Sequence, residues 1–356
     1  MPDHPFSSLG AVEELLASLP EPDASMAAQA RWHQAQLTKP PGSLGRLEEL
    51  AEWLAAVQAR HPPRLERVGI FVFAGNHGVV ERGVSAYPAE VTAQMVANFE
   101  RGGAAINQLA HTFGAELRVI PVEGLRPTAD FTVAPAMSEA ELLRALETGY
   151  EALSPGFDLV AVGEMGIGNT TAAAALAAAL MGGPAERFVG PGTGLDAEGV
   201  RRKAEVVARA LALHGETRSR PLELLRRVGG FELAAMAGFL LAAANRRVPV
   251  LLDGYVATAA AAVLHAVRPT ALRHVRAAHR SAEPAHRLLL EHLALAPLLD
   301  LGMRLGEASG AAVAIGLVRA AIACHNGMAT FESAGVSRSR GEEESDGEQG
   351  GGGKWA

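Results

Sequence analysis

The sequence predicts an α/β protein with a mostly parallel sheet flanked by helices and a small helical domain made from both chain ends. Three observations predict this class: short β-rich apolar runs, helix-like segments between them, and helical patterning at either end. Near-continuous apolar runs are typical of strands buried on both faces, as in a parallel sheet covered by helices. Ligands of such sheets bind outside the carboxyl ends of the strands.

The composition agrees with a globular enzyme. The chain has 356 residues, 49% of them hydrophobic and 20% charged, and it contains 39 glycines. These values are typical of a folded α/β protein that buries a sizeable core. The net charge of −7 argues against a nucleic-acid binder, which usually carries a basic surplus. A single cysteine, Cys324, excludes an intramolecular disulfide and is expected in the core of an alanine-rich helix.

Four segments follow from the patterning. Residues 1–65 carry apolar side chains three and four apart and are expected to form N-terminal helices of the small domain. Residues 66–280 are expected to form the α/β domain, and residues 281–336 C-terminal helices that complete the small domain. Residues 337–356 are polar, acidic and glycine-rich, which predicts a disordered tail. The predicted strands are 67–75, 116–122, 157–164 and 248–255.

The N-terminal sequence lacks the basic segment and the continuous apolar segment of a secretory signal. No run approaches 18 consecutive apolar residues. We therefore expect a cytoplasmic protein that does not span a membrane.

The stretch "GEMGIGNTT", residues 163–171, follows a predicted strand and precedes a predicted helix. Such a strand–glycine loop–helix unit exposes backbone N–H groups at a helix N-terminus, where an anion can bind. It lacks the lysine of a P-loop and the spacing of a dinucleotide fingerprint. The alternative is a tight turn whose helix is capped by Asn169 or Thr170.

A second glycine cluster, "VGPGTGLDAEGVRRKAEVV" at 189–207, also leads into a helix, with Asp196 as the expected cap. Lys203 lies within that helix, either on a solvated basic face or as a clamp for phosphate.

Polar side chains at other element ends are further candidates. Asp253 follows a predicted strand, where it can accept hydrogen bonds from ribose hydroxyls or cap a helix. Ser281 precedes a helix with Glu283 in its first turn, an ordinary capping arrangement that can also donate to phosphate. Glu307 lies among small residues that let a backbone or a flat ligand approach, or it simply favours the N-terminus of the next helix.

His77 invites a catalytic interpretation, but a hydrogen-bonded structural histidine is the favoured one. The remaining histidines show no spacing of metal ligands, so the sequence predicts no metal site.

Taken together, these stretches resemble the nicotinate-nucleotide–dimethylbenzimidazole phosphoribosyltransferase family of cobalamin biosynthesis. The resemblance covers roughly residues 39–335, in family order, and its longest and most specific motifs are "GEMGIGNTT" and "MRLGEASG". The other matching segments are "KPPGSLGRLE", "AGNHGV", "VTAQMVANF", "GPGTGLD", "GGFELAAMAGFLLAAA" and "PVLLDGY".

The resemblance implies a homodimer with a Rossmann-like domain and transfer of phosphoribose from nicotinate mononucleotide to 5,6-dimethylbenzimidazole without a cofactor. By similarity, Glu307 is the general base and Glu164 the second functional carboxylate. Phosphate and ribose contacts are implied for Gly166, Gly168, Asn169, Thr170, Thr171, Lys203, Asp253 and Ser281. The aromatic base is expected to contact Tyr87, Met95, Met165 and Leu305.

Two departures and two alternatives accompany this interpretation. Pro191 stands where the family often has a basic residue, which removes a potential anion contact. The stretch "VSAYP" around Tyr87 varies in the family, so another aromatic base such as adenine is an alternative acceptor.

A non-catalytic nucleotide-binding regulator is the alternative function. A kinase is disfavoured because neither a phosphate-cradling lysine motif nor a pattern of Mg²⁺ carboxylates is present.

Overall fold

The computed structural model describes residues 5–192 and 194–337, and within them a parallel sheet of five strands. Their order across the sheet is β2-β1-β3-β4-β5, and every neighbouring pair is parallel. The predicted α/β class with a parallel sheet flanked by helices is confirmed. The strands are β1 (Val68–Ala74), β2 (Glu116–Pro121), β3 (Leu159–Met165), β4 (Val250–Leu252) and β5 (Val275–Ala277).

The four predicted strands are present, and β5 is one that the sequence did not reveal. β1 is buried at every position, which agrees with its continuous apolar run, whereas β2 lies at the sheet edge and is less buried. β5 has only three residues and carries Arg276 at its centre, so its sequence has no apolar run to recognise. This strand order reverses direction between β1 and β3, and ligands of doubly wound sheets bind at that point.

Helices lie between and around the strands. Among the described residues, short 3₁₀ turns occur at Gly78–Arg82, Val122–Leu125, Ala185–Arg187 and Gly215–Thr217. The α-helices are α1 (Leu9–Ser18), α2 (Ala24–Gln36), α3 (Arg46–Gln58), α4 (Glu90–Glu100), α5 (Ala105–Thr112), α6 (Glu139–Ala152), α7 (Asn169–Met181), α8 (Ala197–His214), α9 (Pro221–Val228), α10 (Phe231–Asn245), α11 (Tyr255–Val267), α12 (Pro284–His292), α13 (Ser309–Gly327) and α14 (Phe331–Ala334).

The chain divides into two compact units. The larger comprises Leu65–Leu317 and the described part of Met1–Pro22, and the smaller comprises Asp23–Arg64 and the described part of Val318–Ala356. These bounds differ from the expected ones, because α1 and residues 281–317 belong to the larger unit. Arg268 holds α1 there, since its guanidinium donates to the Ala17 carbonyl oxygen at 3.0 Å.

Two expectations concern the end of the chain. Cys324 lies on α13 and is partly exposed, so its expected place in the core is wrong. The predicted tail, 337–356, falls outside the described residues apart from Ser337. α13 has 19 residues and a mean hydropathy of 1.2, and half of it is buried within the structure. These values would let it cross a membrane, but core helices meet the same test, so the evidence for a span is weak.

Two glycines allow α6 and α10 to pack in direct backbone contact. A Cβ at Gly149 of α6 would collide with the Ala235 carbonyl oxygen, and one at Gly238 of α10 with that of Leu146. α10 is buried over almost its whole length, and α6 buries one face. Glycine at both positions is therefore required by packing rather than by backbone conformation.

The Gly149→Ala variant is expected to lose about 3 kcal/mol of stability, because the added methyl group must separate two packed helices. Gly215→Ala is the matched control, since a Cβ there meets nothing within 4 Å and its φ of −62° suits alanine. Urea unfolding of both variants measures the difference. Equal midpoints would contradict the packing argument.

Candidate active site

A cavity of about 600 Å³, open solvent included, lies at the carboxyl ends of the strands, beside the Gly166 turn that follows β3. β1 and β3 are also joined at their carboxyl ends, where Gly75 N–H, just after β1, donates to the carbonyl oxygen of Met165, the last residue of β3, at 3.0 Å. The cavity therefore lies at the point where the strand order reverses, as expected for such sheets. Its walls include Glu164, Gly166, Asn169, Ser281, Glu283 and Arg304.

Glu164 and Glu307 are brought together by a backbone contact. Glu307 N–H donates to the Glu164 carbonyl oxygen at 3.0 Å. Gly163 permits this approach, because a Cβ there would collide with the Ala308 backbone nitrogen. Both Glu307 and Ala308 have φ of +59°, a conformation that costs energy in residues other than glycine and is often found at functional sites.

The two carboxyl groups hold protons unusually strongly. Burial raises the pKa of Glu164 to about 8, and the charges of Asp253 and Glu232 add to this shift. Burial and the charge of Asp253 likewise raise the pKa of Glu307 to about 7. A carboxyl group with a pKa near neutral can both accept and release a proton at physiological pH.

Asp253 is almost fully buried and serves as a cap. Its Oδ1 accepts a hydrogen bond from Ala311 N–H at 2.9 Å, in the first turn of α13, and lies 3.5 Å from His279 Nε2. The capping alternative is thus correct, although the helix capped is α13 rather than α11, which follows Asp253 directly. This cap fixes the start of α13 next to Glu307.

The Gly166–Thr171 loop has the predicted form of a glycine turn at a helix N-terminus. α7 begins at Asn169, and its N-cap is Gly168, with φ of +94° and no side-chain cap. Capping by Asn169 or Thr170 is therefore wrong. The Asn169 amide instead donates to the Glu164 carboxylate. Thr171 is fully buried, and its Oγ1 has no partner among the described residues.

Lys203 is buried, so its placement on a solvated basic face is wrong. Its ammonium donates to Thr170 Oγ1 at 2.8 Å and to the Gly190 carbonyl oxygen at 3.2 Å, which joins the two glycine loops. It lines a second cavity of about 270 Å³, open solvent included, together with Gly168 and Pro191, next to the first. Asp196 caps α8 as predicted, accepting from Gly199 N–H at 2.8 Å.

Ser281 lies in the cavity wall just before α12. Its Oγ accepts from Glu283 N–H at 3.3 Å, and its own N–H donates to His286 Nδ1 at 2.8 Å. Glu283 is the N-cap of α12, one position before the first turn in which we expected it.

The residues expected to contact the aromatic base separate into two pairs. Met165 and Leu305 line the larger cavity, where Leu305 is exposed. Tyr87, which is 49% exposed, and Met95 line neither cavity.

The sequence did not reveal Glu232, His279 or Arg304 as residues of this region, and it indicated Glu283 only as part of the capping arrangement with Ser281. Glu232 lies in α10 and is fully buried, and His77 Nε2 is 2.6 Å from its Oε1, so His77 is the hydrogen-bonded structural residue that we favoured. The signal for Glu232 was a lone carboxylate in an otherwise apolar helix. Within residues 5–192 and 194–337, no group of three or more His, Cys, Asp and Glu residues could hold a metal ion.

Comparison with known proteins adds a family to this geometry. A family model described as phosphoribosyltransferase matches residues 19–336. Nicotinate-nucleotide–dimethylbenzimidazole phosphoribosyltransferase of Ruegeria pomeroyi is 56% identical over 332 residues, covering 93% of this chain and 98% of that relative. The protein of the same name from Novosphingobium aromaticivorans is 55% identical, with the same coverage. This chain belongs to the nicotinate-nucleotide–dimethylbenzimidazole phosphoribosyltransferase family.

Solved structures agree with this membership. The crystal structure of CobT from Thermus thermophilus matches with a TM-score of 0.82 at 48% identity, covering 88% of this chain and 100% of that one. The family predicted from sequence motifs and the enzyme class, a phosphoribosyltransferase, are confirmed. The region matched by the family model contains every residue of the site described above.

The raised pKa of Glu164 predicts a fall in stability with rising pH. The unfolded chain releases this proton near its ordinary pKa of 4.5 and the folded chain only near 8, so the free energy of unfolding decreases across that interval. Glu164→Gln has no proton to lose. It is expected to gain roughly 1–3 kcal/mol relative to the unsubstituted protein between pH 5 and pH 9.

Urea unfolding of both proteins at pH 5 and pH 9 measures this difference. A gap in stability that is the same at the two pH values would show that Glu164 ionises in the folded protein as it does in the unfolded chain.

Proposed function

We propose that this enzyme transfers phosphoribose from nicotinate mononucleotide to 5,6-dimethylbenzimidazole, giving α-ribazole 5′-phosphate and nicotinate for the lower-ligand nucleotide of cobalamin. The two relatives described above are named for this reaction. The observation that carries the proposal for this chain is the contact between Glu307 and Glu164 beside a helix N-terminus with a buried lysine. That combination supplies a proton acceptor next to an anion site.

The chemistry needs a base more than an acid. The ring nitrogen of nicotinate mononucleotide is quaternary, so nicotinate leaves with a neutral ring nitrogen that requires no protonation. One nitrogen of the benzimidazole attacks C1′, and the N–H on its other nitrogen must lose a proton. Glu307, whose pKa lies near 7, is the proposed acceptor of that proton.

Glu164 is proposed to stabilise the positive charge that develops at the ribosyl centre, as a carboxylate does in glycoside cleavage. Direct displacement converts a β-nucleotide into an α-nucleotide, so the dimethylbenzimidazole must enter on the face opposite nicotinate. The reaction breaks no bond to phosphorus, and no metal or cofactor is proposed. The phosphate instead supplies binding energy that positions C1′.

The phosphate is proposed to bind between the two glycine loops. The N-terminus of α7 lies beside these loops, and a helix N-terminus favours binding of an anion. Thr170 and Lys203 are already joined at 2.8 Å and supply a hydroxyl and a positive charge. Ser281 lines the larger cavity together with Thr170. A homodimer and a cytoplasmic location stay predictions from the sequence.

Glu307→Gln is expected to reduce kcat about 10²–10⁴-fold, because the amide cannot accept the proton. Release of nicotinate from the mononucleotide in the presence of dimethylbenzimidazole measures turnover, and calorimetry measures mononucleotide binding, which is expected to persist. A variant with near-normal kcat would exclude Glu307 as the base.

The choice of acceptor is tested by adding adenine in competition with dimethylbenzimidazole. Dimethylbenzimidazole is expected to be the preferred acceptor.

Lys203→Ala is expected to weaken binding of nicotinate mononucleotide about 10–100-fold, the range for loss of a hydrogen bond from a charged group. Arg201→Ala is the matched control, because Arg201 lies on the same helix with its side chain 69% exposed. Calorimetry measures the Kd of both variants for nicotinate mononucleotide, and only that of Lys203→Ala is expected to change. An unchanged Kd in Lys203→Ala would exclude Lys203 as a contact of the substrate phosphate.

A further inference from the structure

The backbone of Gly190 and Gly192, in the second glycine loop, is held by three charged side chains. Lys203 Nζ donates to the Gly190 carbonyl oxygen at 3.2 Å. Arg304 Nη1 donates to the Gly192 carbonyl oxygen at 2.8 Å. The Gly192 N–H in turn favours the ionised form of Glu283 and acts to lower its pKa. The backbone of Gly192 therefore interacts through both its carbonyl oxygen and its N–H with residues that are distant in sequence.

Glu283 is built tightly into this arrangement. It is 6% exposed, and a Cβ at Gly190 would collide with its Oε2. Its other oxygen, Oε1, is buried without a hydrogen-bond partner among the described residues. A buried carboxylate with an unpaired oxygen costs stability, so its presence in the cavity wall requires a reason.

Charge provides that reason. Lys203 is 1% exposed, and a buried ammonium is costly unless an opposite charge lies nearby. Burial lowers the pKa of Lys203 to about 8, and the negative charge of Glu283 acts in the opposite direction. Burial raises the pKa of Glu283, and the positive charges of Lys203 and Arg304 act against that shift by favouring its ionised form. The phenol of Tyr255 also faces Glu283, and its pKa is raised chiefly by burial.

We propose that Glu283 is a positioning residue for Lys203: it fixes the Gly190–Gly192 backbone against the lysine and keeps the ammonium charged for the substrate phosphate. This inference rests on the proposed function only in naming phosphate as the ligand. Glu283 touches no reacting atom. It acts through Lys203 alone, so its effect depends on the protonation of that lysine.

The test measures the titration of Lys203 directly. The chain has three lysines, Lys39, Lys203 and Lys354, so ¹³C-lysine labelling of the full-length protein gives few signals, and Lys203→Ala assigns the one of interest. Glu283→Gln keeps an oxygen acceptor for Gly192 N–H but removes the charge. The midpoint of the Lys203 ¹³Cε signal is expected to fall by about one pH unit, the size of a typical shift from a nearby opposite charge.

Binding gives the second readout. A lysine whose pKa falls by one unit from 8 is charged about fivefold less often at pH 8 and nearly as often at pH 6. The Kd of Glu283→Gln for nicotinate mononucleotide is therefore expected to be about fivefold weaker at pH 8 and close to that of the unsubstituted protein at pH 6.

Two further variants complete the experiment. Glu205→Gln removes an exposed negative charge from α8, the helix that carries Lys203, and should leave the Lys203 midpoint in place. Glu283→Ser removes the same charge as Glu283→Gln with a smaller side chain, and it replaces that variant if the amide does not fold.

An unchanged Lys203 midpoint in a folded, neutral variant at position 283 would overturn the inference. The Lys203 midpoint could instead shift while Lys203→Ala has no effect on mononucleotide binding. That result would support the coupling between Glu283 and Lys203 and would exclude Lys203 as the phosphate site. The two failures are thus distinguishable.

Discussion

The active site depends on one close backbone approach, in which β3 meets the segment that precedes α13. Glu307 N–H donates to the Glu164 carbonyl oxygen, and only a glycine at position 163 leaves room for Ala308. Side chains of consecutive strand residues point to opposite faces of a sheet. The glycine at position 163 can therefore make room for Ala308 on one face while Glu164 carries its carboxyl group on the other. The Asp253 cap on α13 holds the other side of this contact. Two segments that are distant in sequence thus bring the backbones of the two glutamates into direct contact.

Such a site is costly to the fold. Carboxyl groups are desolvated beside one another, two consecutive residues hold a left-handed backbone conformation, and Glu232 is buried fully in α10. Part of the cost is offset locally, since Glu232 pairs with His77 and the Asn169 amide donates to Glu164. The remainder must come from the rest of the core, where α7, α10 and α11 are buried nearly throughout. Strain concentrated at a functional site and supported by surrounding packing is the usual arrangement.

The sequence predicted the sheet and the two glycine loops because their signals are local. An apolar run marks a buried strand, and a glycine turn before an alanine-rich stretch marks a helix N-terminus. It could not predict which helix Asp253 caps, since Ala311 is 58 positions away. It also favoured a solvated Lys203, because burial of a lysine depends on a partner such as Thr170 on another helix. The bounds of the two compact units also differ from the expected ones, since α1 is held by Arg268, far along the chain.

The environments of the two glutamates also separate their proposed roles. Burial raises the pKa of Glu164 to about 8 and that of Glu307 to about 7, so the larger shift falls on Glu164. Glu307, with the smaller shift, is the group more readily available as an ionised base near neutral pH. A substrate with a quaternary ring nitrogen would change the balance, because an opposite charge favours ionisation of Glu164. The carboxylate that stabilises the ribosyl cation would then form when the cationic substrate arrives. Before that, a protonated Glu164 adds no negative charge to the buried site.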